Sequence, residues 1–251
     1  MRTCRFRHAS RERYGVIENE RVRALNAEPW MGGLAEGPAI PLGEVELLAP
    51  VLPSKVVAVG RNYRAHAREL GNDVPKEPLI FLKPSTSVIG PGGHIRLPET
   101  SKEIHYEAEL GVVIGRTLTG AVTAVEARSA IFGFTCVNDV TARDIQRAEG
   151  HFTRAKSFDT FCPIGPWVET QVDPMDATVL CRVNGEQRQK GFTKDMVFDA
   201  HILVAFISQA MTLLPGDVIS TGTPDGVGPI RRGDWVEVEV PGIGILTNPV
   251  V

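Results

Sequence analysis

Two glutamates separated by one residue, Glu107 and Glu109, are a pair of side chains that could do chemistry together. On a β-strand, residues two apart share one face, with about 6.5–7 Å between their Cα atoms. Two such carboxylates repel each other unless a cation lies between them, and oxygen ligands suit Mg²⁺, Mn²⁺ or Ca²⁺. The same spacing is common on solvent-facing strand edges, but the apolar run 110–114 that follows indicates a strand that enters the core.

Asp139 is the residue that could complete such a metal site. It follows a predicted apolar strand at 131–137. An aspartate at the end of a strand is more often a turn or helix-capping residue. Beside Glu107 and Glu109, however, it would be a third carboxylate on one face of an octahedral ion, and waters or a chelating substrate would fill the other positions.

His66 and Glu69 are the candidates for acid–base chemistry. They are three residues apart on a predicted helix that runs to about Leu70, so their side chains can touch. A carboxylate on one imidazole nitrogen fixes the tautomer and raises the basicity of the other nitrogen. The pair has the outline of a general-base dyad, and a surface His–Glu pair is the alternative.

Lys156 and Thr223 are two further candidates for binding a substrate. Lys156 could hold a substrate anion or a developing enolate. Thr223 lies in the segment Thr221-Gly222-Thr223-Pro224, a predicted turn whose backbone amides could bind a carboxylate. Each signal is weak alone, because a lysine on a loop is usually only solvated.

Short strands are the predicted elements that position these residues. Apolar or alternating runs predict strands at 55–59, 79–82, 107–114, 131–137, 179–183, 218–221, 235–240 and 245–247. Asn184-Gly185 predicts a type I′ hairpin, and Thr123 with Glu126 predicts a capping box that begins a short helix. The longest predicted helix, 198–214, has an apolar stripe that includes Ile202 and Phe206. Because the strands do not alternate regularly with long helices, the pattern disfavours a doubly wound sheet and indicates a β-rich α+β fold.

The chain divides into two predicted units. Residues 1–53 are predicted to form a small β-rich unit, with strands at 4–7 and 14–24 that turn near Glu18-Asn19. After residue 53, the sequence shows the pattern of strands and helices described above. We therefore predict an N-terminal accessory domain at 1–53 and a main domain at 54–251.

The composition excludes several classes of protein. The 251 residues are 43% hydrophobic and 23% charged, and Lys+Arg 27 against Asp+Glu 30 leaves a net charge of -3, so nothing indicates a nucleic-acid partner. No run reaches the roughly 18–20 apolar residues of a membrane helix, and no secretory signal is recognisable, although the arginine-rich start permits an organellar transit segment. The cysteines, which form no C-x-x-C pair, are Cys4, Cys136, Cys162 and Cys181. We expect a cytoplasmic protein with reduced, mostly buried thiols.

Seven segments between residue 55 and the C-terminus resemble, in order, the motifs of the fumarylacetoacetate hydrolase family, in its acylpyruvase and oxaloacetate decarboxylase branch. They are Gly60-Arg61-Asn62-Tyr63, Phe81-Leu82-Lys83-Pro84-Ser85, His105-Tyr106-Glu107-Ala108-Glu109-Leu110, Asn138-Asp139-Val140-Thr141-Ala142-Arg143-Asp144, Ala155-Lys156-Ser157-Phe158-Asp159, Val183-Asn184-Gly185-Glu186 and Gly216-Asp217-Val218-Ile219-Ser220-Thr221-Gly222-Thr223-Pro224. One departure is Gly191-Phe192-Thr193-Lys194-Asp195, where similar proteins often carry Asn and Ser. The departure concerns the rim of the pocket and leaves the metal ligands intact.

The resemblance implies a fold, a cofactor and a set of site residues. The fold would be a mixed β-sheet rolled into a barrel-like core with short helices, usually in a homodimer. Glu107, Glu109 and Asp139 would hold Mg²⁺ or Mn²⁺, and His66 with Glu69 would be the base on a mobile lid helix. The remaining implied residues are Lys156 in catalysis and Arg61, Lys83, Gln146 and Thr223 in substrate binding.

The implied substrate is a small 2-oxo acid that chelates the metal through its carboxylate and keto oxygen. The metal would polarise the C2 carbonyl, and cleavage of the C3–C4 bond would leave an enolate held at the metal. If C4 is a carboxylate, the reaction is decarboxylation, as for oxaloacetate. If C4 is a ketone attacked by water that His66 activates, the reaction is hydrolysis of an acylpyruvate or fumarylpyruvate.

Two other functions stay open at this point. Proton transfer through the same enolate without bond cleavage would make the protein an isomerase or tautomerase, for example of a 2-hydroxyhepta-2,4-diene-1,7-dioate from aromatic catabolism. A metal-binding module without activity is the third possibility, and the retained His66–Glu69 pair argues against it. The oxygen ligands suit Mg²⁺ and Mn²⁺ equally.

Overall fold

Short apolar runs separated by glycine and proline form most of the elements in the computed structural model, which describes residues 1–251. The strands are β1 (Arg2–His8), β2 (Arg11–Glu18), β3 (Arg21–Leu25), β4 (Ala35–Pro41), β5 (Glu46–Leu48), β6 (Val56–Gly60), β7 (Leu79–Lys83), β8 (Val88–Ile89), β9 (Ile104–Tyr106), β10 (Ala108–Ile114), β11 (Ile131–Asn138), β12 (Thr141–Ala142), β13 (Cys162–Glu169), β14 (Thr178–Val183), β15 (Glu186–Phe192), β16 (Val218–Ser220), β17 (Gly228–Ile230), β18 (Trp235–Val240) and β19 (Gly244–Pro249). The helices are α1 (Arg64–Glu69), α2 (Ala124–Ala130), α3 (Arg143–Glu149), α4 (Thr153–Lys156) and α5 (Ala200–Ala210). None of these helices is both long and apolar enough to cross a membrane.

The strands form three sheets, and the largest carries the site. Its main path is β4-β3-β2-β1-β13-β11-β10-β16-β6-β7, with β5 beside β1 and β8 beside β13. The two smaller sheets are β12-β9-β17 and β15-β14-β18-β19. The predicted β-rich α+β class is confirmed, but the sheets do not close into a barrel, because β4 and β7 lie at opposite ends of the large sheet and do not pair.

Strand β10 is the centre of the main core. Every residue of Ala108–Ile114 is buried, as expected for a strand covered on both faces. It pairs antiparallel with β11 on one side and with β16 on the other. This central position places the start of β10 and the end of β11 next to each other inside the protein.

The longest helix, α5, differs from its prediction in length and in its buried face. It ends at Ala210, because Met211 adopts an extended backbone, with φ -154° and ψ 146°. Its buried face includes Leu203 and Ile207, whereas Ile202 is exposed. The predicted stripe was wrong because residues 202–207 are all apolar, so the sequence alone permits more than one stripe.

The N-terminal strands continue the large sheet. The predicted turn near Glu18-Asn19 is confirmed, since Asn19 and Glu20 have left-handed φ angles of 48° and 57° between β2 and β3. Strand β1 pairs with β13, with Thr3 opposite Val168, and a small apolar cluster that includes Phe6 lies beneath these strands. The division of the chain at residue 53 stays a prediction.

The four cysteines should be unreactive in the native protein. All four are free and buried, and burial raises the pKa of Cys4, Cys136 and Cys162 to about 12. Because the thiolate is the reactive form, a thiol reagent at neutral pH should label none of them until the chain is unfolded, when all four should react. Labelling of native and denatured protein checks this, and a thiol that reacts in the native state would contradict the buried placement.

Candidate metal and substrate site

Three buried carboxylates meet where β10 begins and β11 ends. Glu107 lies between β9 and β10, Glu109 lies within β10, and Asp139 directly follows β11. One ligand oxygen from each lies within 4.8 Å of the other two. The antiparallel pairing of Ala108 with Asn138 brings the two chain segments together, and the Asp139 amide donates to the Glu107 carbonyl at 2.9 Å. The pairing of neighbouring strands, not one regular strand face, therefore assembles the three predicted ligands.

Cationic side chains neutralise two of these three carboxylates. Lys156 Nζ lies 2.7 Å from Glu107 Oε2 and 2.5 Å from Asp139 Oδ2. Arg143 donates to Glu107 Oε1, and Lys83 Nζ lies 2.6 Å from Asp139 Oδ1. Burial alone would raise the pKa of Glu107, but Lys156 and Arg143 outweigh it and hold that pKa well below its usual value. Burial likewise opposes the charge of Lys156, but Asp139 and Glu107 raise the pKa of this lysine overall.

Glu109 is the carboxylate of the triad that no lysine or arginine contacts. Its Oε2 accepts hydrogen bonds from the Ser220 hydroxyl and from the Gly222 amide, the latter at 2.7 Å. Burial, followed by repulsion from Asp139 and Glu107, raises the pKa of Glu109 to about 8. A divalent cation would supply the missing positive charge, and three carboxylates are the donor set that Mg²⁺ or Mn²⁺ prefers. The residues present therefore fit a divalent metal.

The His66–Glu69 pair forms within α1 as its spacing predicts. His66 Nδ1 lies 3.1 Å from Glu69 Oε2, and the Gly226 amide donates to Glu69 Oε1 at 3.0 Å. The His66 side chain is only 6% exposed, whereas that of Glu69 is 32% exposed. His66 is therefore a buried histidine whose partner carboxylate reaches the solvent and is held on both oxygens.

One cavity of about 270 Å³ joins most of the predicted site residues. The predicted residues that line it are Arg61, His66, Glu107, Glu109, Gln146, Lys156 and Thr223. Gln146 accepts a hydrogen bond of 2.5 Å from Arg143, and Arg61 has a left-handed φ of 57°. Asp139, Glu69 and Lys83 are not among the lining residues. The buried Lys83 bonds Asp139 and the Lys156 carbonyl, so the structure places it behind the triad and not at the predicted substrate surface.

Three contributors to the site were not singled out from the sequence. Arg143 lies within a quoted motif, yet only the structure shows it bonded to both Glu107 and Gln146. Ser220 ends β16 and reaches Glu109. Gln189 is a buried polar residue in β15. The signal in the sequence that could have pointed to it is its position two residues before Gly191, where the sequence begins to differ from similar proteins.

The chain belongs to the fumarylacetoacetate hydrolase family, which is a family of enzymes. The family model "Fumarylacetoacetate (FAA) hydrolase C-terminal" matches residues 55–251, and the model "Rv2993c-like, N-terminal" matches residues 1–50. The resemblance drawn from the seven motifs is therefore confirmed.

The chain is similar to several proteins along most of its length. It is 51% identical to Protein Rv2993c of Mycobacterium tuberculosis, over 92% of this chain and 88% of that protein. It is 45% identical to the human mitochondrial oxaloacetate tautomerase FAHD2A, over 86% of this chain and 73% of that protein. The crystal structure of 2-hydroxyhepta-2,4-diene-1,7-dioate isomerase from Mycobacterium marinum is 45% identical, with a TM-score of 0.93 over 100% of this chain and 98% of that one.

Proposed function

We propose that the protein is a divalent-metal-dependent enzyme that moves a proton to and from C3 of a small 2-oxo acid, with keto–enol tautomerisation of oxaloacetate as the reaction favoured. The observation that carries the proposal is the buried His66, held by Glu69, in the same cavity as two carboxylates of the triad. The names of the human and M. marinum relatives, a tautomerase and an isomerase, describe reactions of this type. Because of these names, we prefer proton transfer as the reaction, whereas the sequence alone favoured cleavage of the C3–C4 bond.

His66 Nε2 is the atom that exchanges the proton. Because Nδ1 faces Glu69, the N–H group at Nδ1 donates a hydrogen bond to that carboxylate. In the neutral ring, Nε2 is therefore the nitrogen that can accept a proton. The proton leaves C3 for Nε2 and is returned to the carbonyl oxygen to give the enol. A metal held by Glu107, Glu109 and Asp139 would polarise the C2 carbonyl and favour this loss of a proton.

Cations around the cavity suit an anionic substrate. Arg61, Arg143 and Lys156 line the cavity, and Gln146 offers an amide beside them. Arg143 and Lys156 are each bonded to a carboxylate of the triad, whereas Arg61 is in no ion pair. Arg61 is therefore the cation best able to take a substrate carboxylate.

Cleavage of the C3–C4 bond is the second candidate function. It is favoured by the partial exposure of Glu69, which places the dyad at the solvent edge of the cavity, where water can reach it. Hydrolysis of an acylpyruvate needs such a water, and decarboxylation of oxaloacetate needs only the polarised carbonyl. Both reactions release pyruvate, whereas proton transfer does not.

We expect the metal-loaded protein to speed the enol–keto exchange of oxaloacetate, because His66 can move the C3 proton without breaking a bond. Ultraviolet absorbance of the enol and loss of deuterium from C3 measure this exchange. A coupled pyruvate assay, with oxaloacetate and with an acylpyruvate, measures cleavage in parallel. Pyruvate release as fast as C3 exchange would favour the second candidate, and acceleration of neither process would refute the proposed function.

A further inference from the structure

The turn at residues 221–226 contacts both halves of the site. The Gly222 amide donates to the triad residue Glu109 at 2.7 Å. The Gly226 amide, four residues later, donates to Glu69 of the dyad at 3.0 Å. The position of this turn therefore sets where the dyad lies relative to the triad.

Gln189 ties this turn to the strand that carries Glu109. Its side-chain oxygen accepts from the Ala108 amide at 3.0 Å, and its nitrogen donates to Thr223 Oγ1 and to the Pro224 carbonyl, both at 2.8 Å. Thr223 Oγ1 in turn donates to the Ala108 carbonyl at 2.9 Å. Gln189 is 1% exposed, so water does not offer its partners a replacement if the amide is lost.

The backbone of β15 also lies against the turn, close to Gln189. A Cβ atom added at Gly226 would lie 2.3 Å from the Arg188 carbonyl oxygen, and one added at Gly191 would lie 2.4 Å from Pro224 Cβ. The turn therefore packs directly against β15 on both sides of Gln189, and the side-chain amide of Gln189 adds hydrogen bonds within that contact.

We propose that Gln189 is a positioning residue that aligns the His66–Glu69 dyad with the carboxylate triad through the turn at 221–226. Gln189 does not line the cavity, so it acts through Thr223, Pro224 and Gly226 and not on the substrate. The inference rests on the proposed function in that the dyad is taken as the base. Loosening the turn frees the Gly226 amide from Glu69, and a base displaced by a fraction of an ångström loses rate without losing the metal.

Graded replacement of the amide tests this role. Gln189→Met keeps the length of the side chain but none of its hydrogen bonds, and kcat should fall about 10- to 100-fold, since a misplacement of about 1 Å at a catalytic group costs about 100-fold. In Gln189→Glu, the carboxyl group would be protonated at this buried position, and its O–H would be one remaining hydrogen-bond donor. The kcat of this variant should therefore lie between those of Gln189→Met and wild type. Gln187→Met on the exposed part of the same strand is the matched control and should retain wild-type kcat. Wild-type kcat in folded Gln189→Met would overturn the proposal.

A double-mutant cycle with Glu69→Gln separates positioning from a general loss of structure. If Gln189 acts through Glu69, the loss in the double variant should be smaller than the product of the two single losses. Losses that multiply would mean that Gln189 acts on turnover independently of Glu69, and would overturn the proposal.

Hydrogen exchange gives a test that does not depend on turnover. In Gln189→Met, the amides at 221–226 and in α1 should exchange faster than in wild type, and those of β18 and β19 should not change. Unchanged exchange at 221–226 and in α1 would overturn the positioning role. If the wild-type protein turned over no 2-oxo acid, the proposed function would fail, while this measurement would still decide the role of Gln189.

Discussion

Glu109→Gln is expected to abolish metal-dependent turnover while leaving the metal-free protein at least as stable as the wild type. Turnover should fall about 100-fold or more, because loss of a ligand costs at least as much as loss of an outer partner of a metal site. The gain in stability follows from burial of this carboxylate without a bonded cation and, second, from repulsion by Asp139 and Glu107, neither of which acts on a neutral glutamine. A glutamine oxygen can still accept hydrogen bonds from Ser220 and Gly222.

The matched variant, Glu107→Gln, should behave in the opposite way in the metal-free protein. It removes a carboxylate bonded by both Lys156 and Arg143, and leaving buried cations without their partner costs about 3 kcal/mol. Thermal unfolding without metal should therefore rank Glu109→Gln at or above wild type and Glu107→Gln below it. Metal titration should raise the melting temperature of wild type only. A metal-free Glu109→Gln that is less stable than wild type would contradict the cost assigned to burying this carboxyl without a cation.

The pH dependence of this difference has a definite sign. The folded-state pKa of Glu109 is raised from 4.5 to about 8, so the folded metal-free protein holds this proton more tightly than the unfolded chain. The resulting stability is present below pH 4.5 and is lost as the pH rises towards 8. Metal-free wild type should therefore lose stability relative to Glu109→Gln across this range, and parallel unfolding curves at several pH values measure it.

His66→Gln should lose turnover and keep its metal. A positioned general base contributes about 10²- to 10⁴-fold to rate, and Glu69 holds no other imidazole that could replace this one. His66 is not one of the triad residues, so the affinity for Mn²⁺ should stay close to that of wild type. Steady-state rates of C3 exchange, together with calorimetric Mn²⁺ binding, measure both properties in one preparation.

Controls for His66→Gln are available on the same chain. His151→Ala changes an exposed histidine and should leave both the rate and Mn²⁺ binding unchanged. Glu69→Gln should lower the rate by less than His66→Gln does, because the imidazole that takes the proton remains. If His66→Gln kept wild-type turnover, the base would have to be another group, and if it lost Mn²⁺ binding, the histidine would belong to the metal site.

Features made by neighbouring residues were predictable from the sequence. The capping box forms as predicted, with the Glu126 amide bonded to Thr123 Oγ1 at 3.2 Å, and the hairpin turns at Asn184-Gly185. The His66–Glu69 contact is of the same kind, since three residues on a helix form one face. Such features depend on backbone geometry over a few residues, so their residue types and spacing are sufficient to predict them.

The motifs also predicted which residues would form the triad, but the reason they meet is tertiary. Glu107 lies outside the regular strand, and the pairing of Ala108 with Asn138 brings Asp139 to it. The expected closure into a barrel was not decided by any local pattern. It depends on whether the end strands of the large sheet pair, and that is a contact between distant parts of the chain.

By itself, then, the sequence determined the residue types at the site, the local turns and helix ends, and the family. Only the tertiary structure decided which charges are compensated: Lys83 reaches Asp139 from 56 residues away, and Glu109 is left without a cation. It also decided that Gln189 bonds Ala108, 81 residues away, and that Ile202 faces solvent. The physical reason is that the burial of a side chain, and the charges near it, depend on residues that are distant in the chain. The spacing of residues along the sequence does not say which of them will be close in space.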